Sequence, residues 1–172
     1  MSKKRSTKTM VLLSVLVALQ IILARFCSFN AWNTRIGLGF IPVALAGALF
    51  GPLSAALVGA VSDILGALLF PSGTYFPGFT VTAACMGLSF GFFLRNGRLH
   101  LPRILMAVGL NQIVFSLGMN TLWISILYGS SFFALLPARA LQVVVIAPVQ
   151  VIILMALSGV VKRADLRKVL AE

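Results

Sequence analysis

Apolar runs of about twenty residues, broken by short stretches of Gly, Pro and Arg, follow one another along nearly the whole chain. Each such run is long enough to cross a hydrocarbon core roughly 30 Å thick as one α-helix. Inside hydrocarbon every backbone N–H and C=O must be bonded within the protein, so runs of this length become continuous helices. The charge content agrees: 10% of the 172 residues are charged and 60% hydrophobic, where soluble domains carry about 25% charged residues. Six crossings consume about 120 residues and leave no room for a large soluble domain. The fold class is therefore an all-α integral membrane protein with six transmembrane helices.

Punctuation predicts helices over 9–26, 36–49, 52–70, 75–95, 102–128 and 137–162. The second is short for a full span, and Phe50-Gly51-Pro52 behind it reads as a tight reversal with Pro at a helix start. Lys3, Lys4, Arg5 and Lys8 before an apolar run resemble a signal peptide, but Ala24-Arg25-Phe26-Cys27 is a poor processing site. The run reads as a retained first helix.

The chain has 14 Lys+Arg against 3 Asp+Glu. With the N-terminus inside, all the basic residues but Arg25, Arg35 and Arg139 fall on one side of the membrane, which makes that side cytoplasmic and both termini internal (N-in/C-in). Their placement is that of topology and lipid anchoring, not of nucleic-acid binding. No G-x-x-x-x-G-K-[ST] occurs, so energy for uphill transport must come from a partner or a gradient. Cys27, Cys85 and the lone His100 are too few and too scattered for a metal, a redox motif or a hydrolytic triad, so neither an enzyme nor a cofactor is expected.

Small residues recur every four positions at Gly51, Ala55 and Gly59, and again at Ala83, Gly87 and Gly91, as seams for close helix packing. Ser14 and Ala18 make a further pair on the first helix, available to this bundle or to another membrane protein.

Ionisable groups in a span are costly and mark function by default. Arg25, Arg35 and Arg139 collect in the outer half, facing Asp63, which is the only acidic residue before the C-terminal tail. Pro137, read as the start of the last helix, directs that helix's positive end outward as well. The surplus suits carboxylates or phosphate, which a guanidinium grips bidentately; snorkelling to headgroups is the bland alternative for any one arginine. Trp32, Tyr75, Phe76 and Trp123 share that depth, where an aromatic belt would place them too. Gln112, Ser116, Asn120 and Trp123 fall on one face of an α-helix, with Gln142 and Gln150 on the next. Interhelical hydrogen bonds account for Gln112 and Gln150, whereas Asn120, Trp123 and Gln142 lie high enough to touch a ligand. The connections 27–35 and 70–78 are of a kind that can cover a pocket.

The string from Ile41 to Gly66, with Ser62-Asp63-Ile-Leu-Gly66 at its end, resembles the second and third helices of the S components of energy-coupling factor vitamin transporters. Arg35-Ile-Gly-Leu-Gly-Phe-Ile-Pro42, the loop Phe70–Gly78 and Pro137-Ala-Arg-Ala-Leu-Gln142 resemble the folate-specific members, and the likeness covers nearly the whole chain. The resemblance implies a single membrane-embedded substrate-binding domain over 1–172, in a prokaryotic plasma membrane. It implies folate capture on the outer face, a transmembrane coupling subunit and two cytoplasmic ATPases. It also implies that Ser14 and Ala18 face the coupling subunit, with Ser14 a mild departure from the family's Ala-x-x-x-Ala. Because the Ser-Asp-x-x-Gly pattern recurs in carriers for different vitamins, Asp63 stays open between architecture and ligand contact. Thiamin, riboflavin and biotin carriers share the architecture. A small-solute channel, for which no charged ring or filter-like sequence is present, and a structural subunit that binds no solute are the other classes.

Overall fold

The protein, a computed structural model, is described over residues 7–26, 28–31, 34–71, 74–95 and 100–163, of which 28–31, 34–36 and 160–163 are placed by backbone alone. These residues form α1 Thr7–Arg25, strands β1 Ser28–Ala31 and β2 Thr34–Gly37, α2 Phe40–Phe50, α3 Pro52–Leu69, α4 Pro77–Leu94, α5 Leu101–Tyr128 and α6 Phe132–Arg163. All but α2 are long and apolar enough to cross a membrane. With 11 residues, α2 rises only about 16 Å. It reverses into α3 at Gly51, whose φ of 91° lies in the left-handed region that a side chain disfavours, with Pro52 opening the next helix.

Both small-residue repeats pack against each other. A Cβ on Gly59 would stand 2.5 Å from the Ala83 carbonyl oxygen, one on Gly87 would run into the Ala55 carbonyl, and one on Gly91 into Cα of Pro52. These contacts step a turn at a time in opposite directions along α3 and α4, which makes an antiparallel seam at backbone distance. Gly91 also receives α2, since a Cβ on Gly47 would lie 2.8 Å from its amide nitrogen. The apolar core continues from this seam through Phe90 and Leu94 of α4 to Ile104 and Val108 of α5 and Leu154 of α6.

On α1, Leu13, Leu16 and Val17 pack on the core and Ile21 is buried. Ser14 and Ala18 lie on the exposed side, with the Ser14 hydroxyl donating to the Met10 carbonyl of its own helix at 3.0 Å.

Three expectations are corrected. Residues 36–39 are not helical: β1 and β2 pair antiparallel with Phe29 opposite Ile36 and Asn30 opposite Arg35, and α2 begins only after Gly37 and Gly39, which are poor helix formers. Strand β2 touches both α1 and α6, so the strand pair bridges the first and last helices. The last helix starts at Phe132, five residues early, with Pro137 in its second turn. There Pro137 removes one backbone bond, to the Phe133 carbonyl, within the first two turns of the helix. The outward-pointing positive helix end therefore belongs to Phe132, not Pro137.

The third correction concerns α5, whose middle, Asn111–Asn120, is wound as a π-helix. An i→i+5 winding holds more than four residues per turn, so the four-residue repeat of Gln112, Ser116 and Asn120 drifts around the axis. In an α-helix, nine steps of about 100° would set Thr121 half a turn from Gln112. Here both are buried, while Ser116 and Asn120 are half-buried.

Candidate functional site

Polar and aromatic side chains gather where α1, α3 and α5 end and α4 and α6 begin. Arg25, in the last turn of α1, is half-buried with its guanidinium laid across α3 at Gly66, where a Cβ would meet Nε at 3.2 Å and Nη2 at 3.4 Å. The glycine of the Ser-Asp-x-x-Gly pattern thus makes the space in which that cation lies. Ser62, in the same pattern, is buried and donates back to the Val58 carbonyl of its own helix.

Asp63, one turn before Gly66, accepts a hydrogen bond from Thr80 Oγ1 of α4 at 2.7 Å, and Tyr75 OH stands 3.0 Å from the same hydroxyl. Thr80 has one proton, and Asp63 takes it. Tyr75 therefore donates to Thr80 and keeps its own oxygen lone pairs open as acceptors. Asp63 thus ties α3 to α4, and through Thr80 it fixes the polarity of a half-exposed tyrosine.

Behind this relay stands an aromatic wall. Trp123 Nε1 donates to Thr82 Oγ1 at 3.0 Å, and Thr82 donates to the Gly78 carbonyl at 3.0 Å. With its edge fixed, the indole lies over Gly78, whose absent Cβ would be 2.6 Å from both Trp123 Cδ2 and Phe76 Cε1. Phe76 meets Trp123 at 5.6 Å between ring centroids and Phe79 at 6.2 Å. Such tilted and edge-on pairs hold a flat surface rigidly at small entropic cost.

The structure therefore brings together Asp63 with Tyr75 and Phe76 with Trp123, and sets Arg25 one turn from Asp63. Arg139 and Gln142 are half-buried on α6, and Asn120 is half-buried on α5. Arg35 is placed by backbone in β2, between α1 and α6, and Trp32 lies outside the described residues. Sequence reasoning missed Thr80 and Thr82, and took in Gly66 and Gly78 only as parts of longer motifs. The threonines gave no signal because hydroxyls in membrane helices ordinarily bond their own backbone, and what the glycines make room for was hidden because their neighbours are distant in sequence. It also took Gln150 as satisfied between helices, whereas Gln150 Oε1 is buried without a partner.

A bundle of apolar spans, with cationic, hydroxyl and aromatic groups at one end and an apolar cluster behind them, is a multi-pass membrane protein laid out to hold a solute. Residues 4–161 match the family model described as the ECF-type riboflavin transporter S component. The folate transporter FolT of Clostridium novyi (strain NT) is 36% identical over 168 residues, 98% of either chain. FolT of Leuconostoc mesenteroides is 29% identical over 154 residues, covering 86% of this chain and 83% of its own. A crystal structure of FolT bound with folic acid superposes with a TM-score of 0.84 at 34% identity, over 90% of this chain and 94% of that one. The chain belongs to the S components of energy-coupling factor transporters, within the FolT group. That family is one of transporters, not of enzymes.

Proposed function

We propose that the chain captures folate at the outer face of a prokaryotic plasma membrane and delivers it to an ATP-driven importer, as one substrate-binding domain spanning 1–172. The observation that carries this reading is the match to the FolT complex with folic acid over 90% of the chain. The chemistry at the Arg25 end supports it. Folate joins a flat pterin to an aminobenzoate and a glutamate with two carboxylates. Arg25, Arg35 and Arg139 suit the carboxylates as bidentate partners, and the Phe76–Trp123 wall suits the rings. Tyr75 offers acceptor lone pairs, and the amides of Asn120 and Gln142 carry both donor and acceptor groups, with Trp32 a further ring in the first outer connection. Riboflavin is the second reading, favoured by the family model's description; it carries no carboxylate for a guanidinium to grip.

Neutralising Arg139 to Gln is expected to remove one charge-assisted pair, roughly 1.5–3 kcal/mol, and so to weaken folic acid binding about ten- to a hundredfold. Pteroate, which lacks the glutamate, should bind the wild-type chain with a similar loss and be almost indifferent to the substitution. Calorimetric titration of the purified chain checks both. Pteroate binding as tightly as folic acid refutes the role of the arginines, and tight riboflavin binding without folic acid binding refutes the substrate.

Orientation follows from the basic residues, which place Arg95 and Arg103 inside and Arg25 outside. With both native cysteines replaced, a cysteine at Thr74 should react with an impermeant maleimide on intact cells, and one at Arg98 only after lysis. Reaction of both on intact cells contradicts N-in/C-in.

A further inference from the structure

Beyond its π-wound middle, α5 needs something to set its rotation. Ten residues turning i→i+5 separate Trp123 from the regular inner part of the helix, so the α-helical rule does not fix where its side chain points. Only the first two residues of that segment, Asn111 and Gln112, are buried, and a Cβ on Gly118 near its end would meet only the Ile113 carbonyl of the same winding, at 3.7 Å. Neighbours therefore grip the start of the segment more closely than its end. Past Asn120, residues 121–128 pack against α6 and the π-segment itself. From there the Trp123 indole reaches back to α4, where its Nε1 donates to Thr82 Oγ1 at 3.0 Å.

Thr82 is suited to hold that indole. It is 1% exposed, so no water takes the place of its hydroxyl. Its single proton goes to the Gly78 carbonyl at 3.0 Å, one turn earlier in α4, which leaves the oxygen to accept from the indole. An indole has one N–H and no other polar atom, so this bond uses all the hydrogen-bonding capacity of the ring. The edge is turned into α4 and pressed over Gly78, where a Cβ would lie 2.6 Å from Cδ2. What the ring has left to offer a solute is its π-face, oriented before the solute arrives.

We infer that Thr82 is a positioning residue of the substrate site: its hydroxyl pins the rotation of α5 beyond the π-segment and so presents the Trp123 face to the ligand's rings ready-oriented. This rests on the folate reading above, in which the aromatic wall meets those rings. An indole without its partner has to be ordered by each ligand that binds, and that cost appears in affinity.

Folic acid is titrated calorimetrically against the purified wild type, Thr82→Val, Thr82→Ser, Trp123→Phe and the double variant Thr82→Val/Trp123→Phe. Fluorine NMR of chain labelled with fluorotryptophan is recorded in parallel, with Trp32→Phe, which leaves Trp123 the only indole, assigning its resonance. Failure of the wild type to bind folic acid sinks the folate reading, and this inference with it. Given binding, the wild-type Trp123 resonance should be single and should move on saturation with folic acid. Thr82→Val, which keeps the shape of threonine without its hydroxyl, should weaken folic acid about three- to tenfold and broaden or split that resonance until ligand is added. Thr82→Ser restores the hydroxyl and should return both readouts to wild type. In the Trp123→Phe background, which has no N–H to hold, Thr82→Val should change affinity by less than about twofold. The inference is overturned if saturating folic acid leaves the wild-type Trp123 resonance unmoved, a comparison that needs no variant at position 82 to fold. It is also overturned if Thr82→Val keeps wild-type affinity, or if it weakens binding as much in the Trp123→Phe background, as a merely structural role of Thr82 would.

Discussion

Gly87→Leu is expected to abolish the folded bundle, while Gly109→Leu, on the neighbouring pair of helices, leaves it intact. At Gly87 the added side chain meets the Ala55 carbonyl and, at 2.8 Å, Cα of Ala56, and backbone cannot turn aside as a side chain can. The seam would have to part along its length, undoing the neighbouring contacts at Gly59 and Gly91. Overpacking ordinarily costs about 1–3 kcal/mol, and a backbone obstacle puts this case at or beyond the top of that range. Membrane helices have no hydrophobic exclusion to hold them together once close packing is lost. At Gly109 nothing lies within 4 Å of the new Cβ, and relief of the helix penalty of glycine is worth up to about 1 kcal/mol. Thermal unfolding in detergent, followed by size-exclusion profile, separates the two variants; a wild-type midpoint for Gly87→Leu would show that α3 and α4 do not meet as described.

That seam was legible in the sequence because its cause is local: a four-residue spacing of small residues leaves one face of a helix bare, whichever helix it meets. The partner and the register were not, since they depend on which two bare faces find each other. The pairing of β1 with β2 escaped notice for the opposite reason. Two four-residue strands are scarcely stable by themselves, and contacts with α1 and α6, distant in sequence, support them. The π-segment was hidden by a coincidence of period, because Gln112, Ser116 and Asn120 obey the α-helical rule in sequence and depart from it only in three dimensions.

The site divides along the same line. Arginine and aromatic residues stand out in an apolar chain, so Arg25, Arg139, Tyr75 and Trp123 could be named from sequence. What aims them could not. Gly66 makes room for the Arg25 guanidinium, Thr80 sets the polarity of Tyr75 through Asp63, and Thr82 locks the indole of Trp123 onto Gly78. Each is a small residue whose effect lies wholly in what it leaves room for or donates to.

Ala18→Trp is expected to eliminate uptake in cells while folic acid binding to the purified chain stays unchanged. As an S component the chain works with ECF partners, and the proposed coupling subunit needs a surface on which to approach it closely. On α1, Ser14 and Ala18 lie on the exposed side, opposite Leu13, Leu16 and Val17, and the Ser14 hydroxyl is occupied by its own backbone. A pair of small residues facing out of the bundle gives another helix a place to approach at backbone distance. An indole there keeps that helix away, yet it touches neither the aromatic wall nor the relay at Asp63. Val144→Trp, on the exposed side of α6, is the control and should transport normally. Radiolabelled folate uptake, set against calorimetric binding, reads the two functions separately. Uptake surviving in Ala18→Trp would move the coupling surface off α1, and equal loss of uptake and binding would mean that position 18 supports the bundle itself.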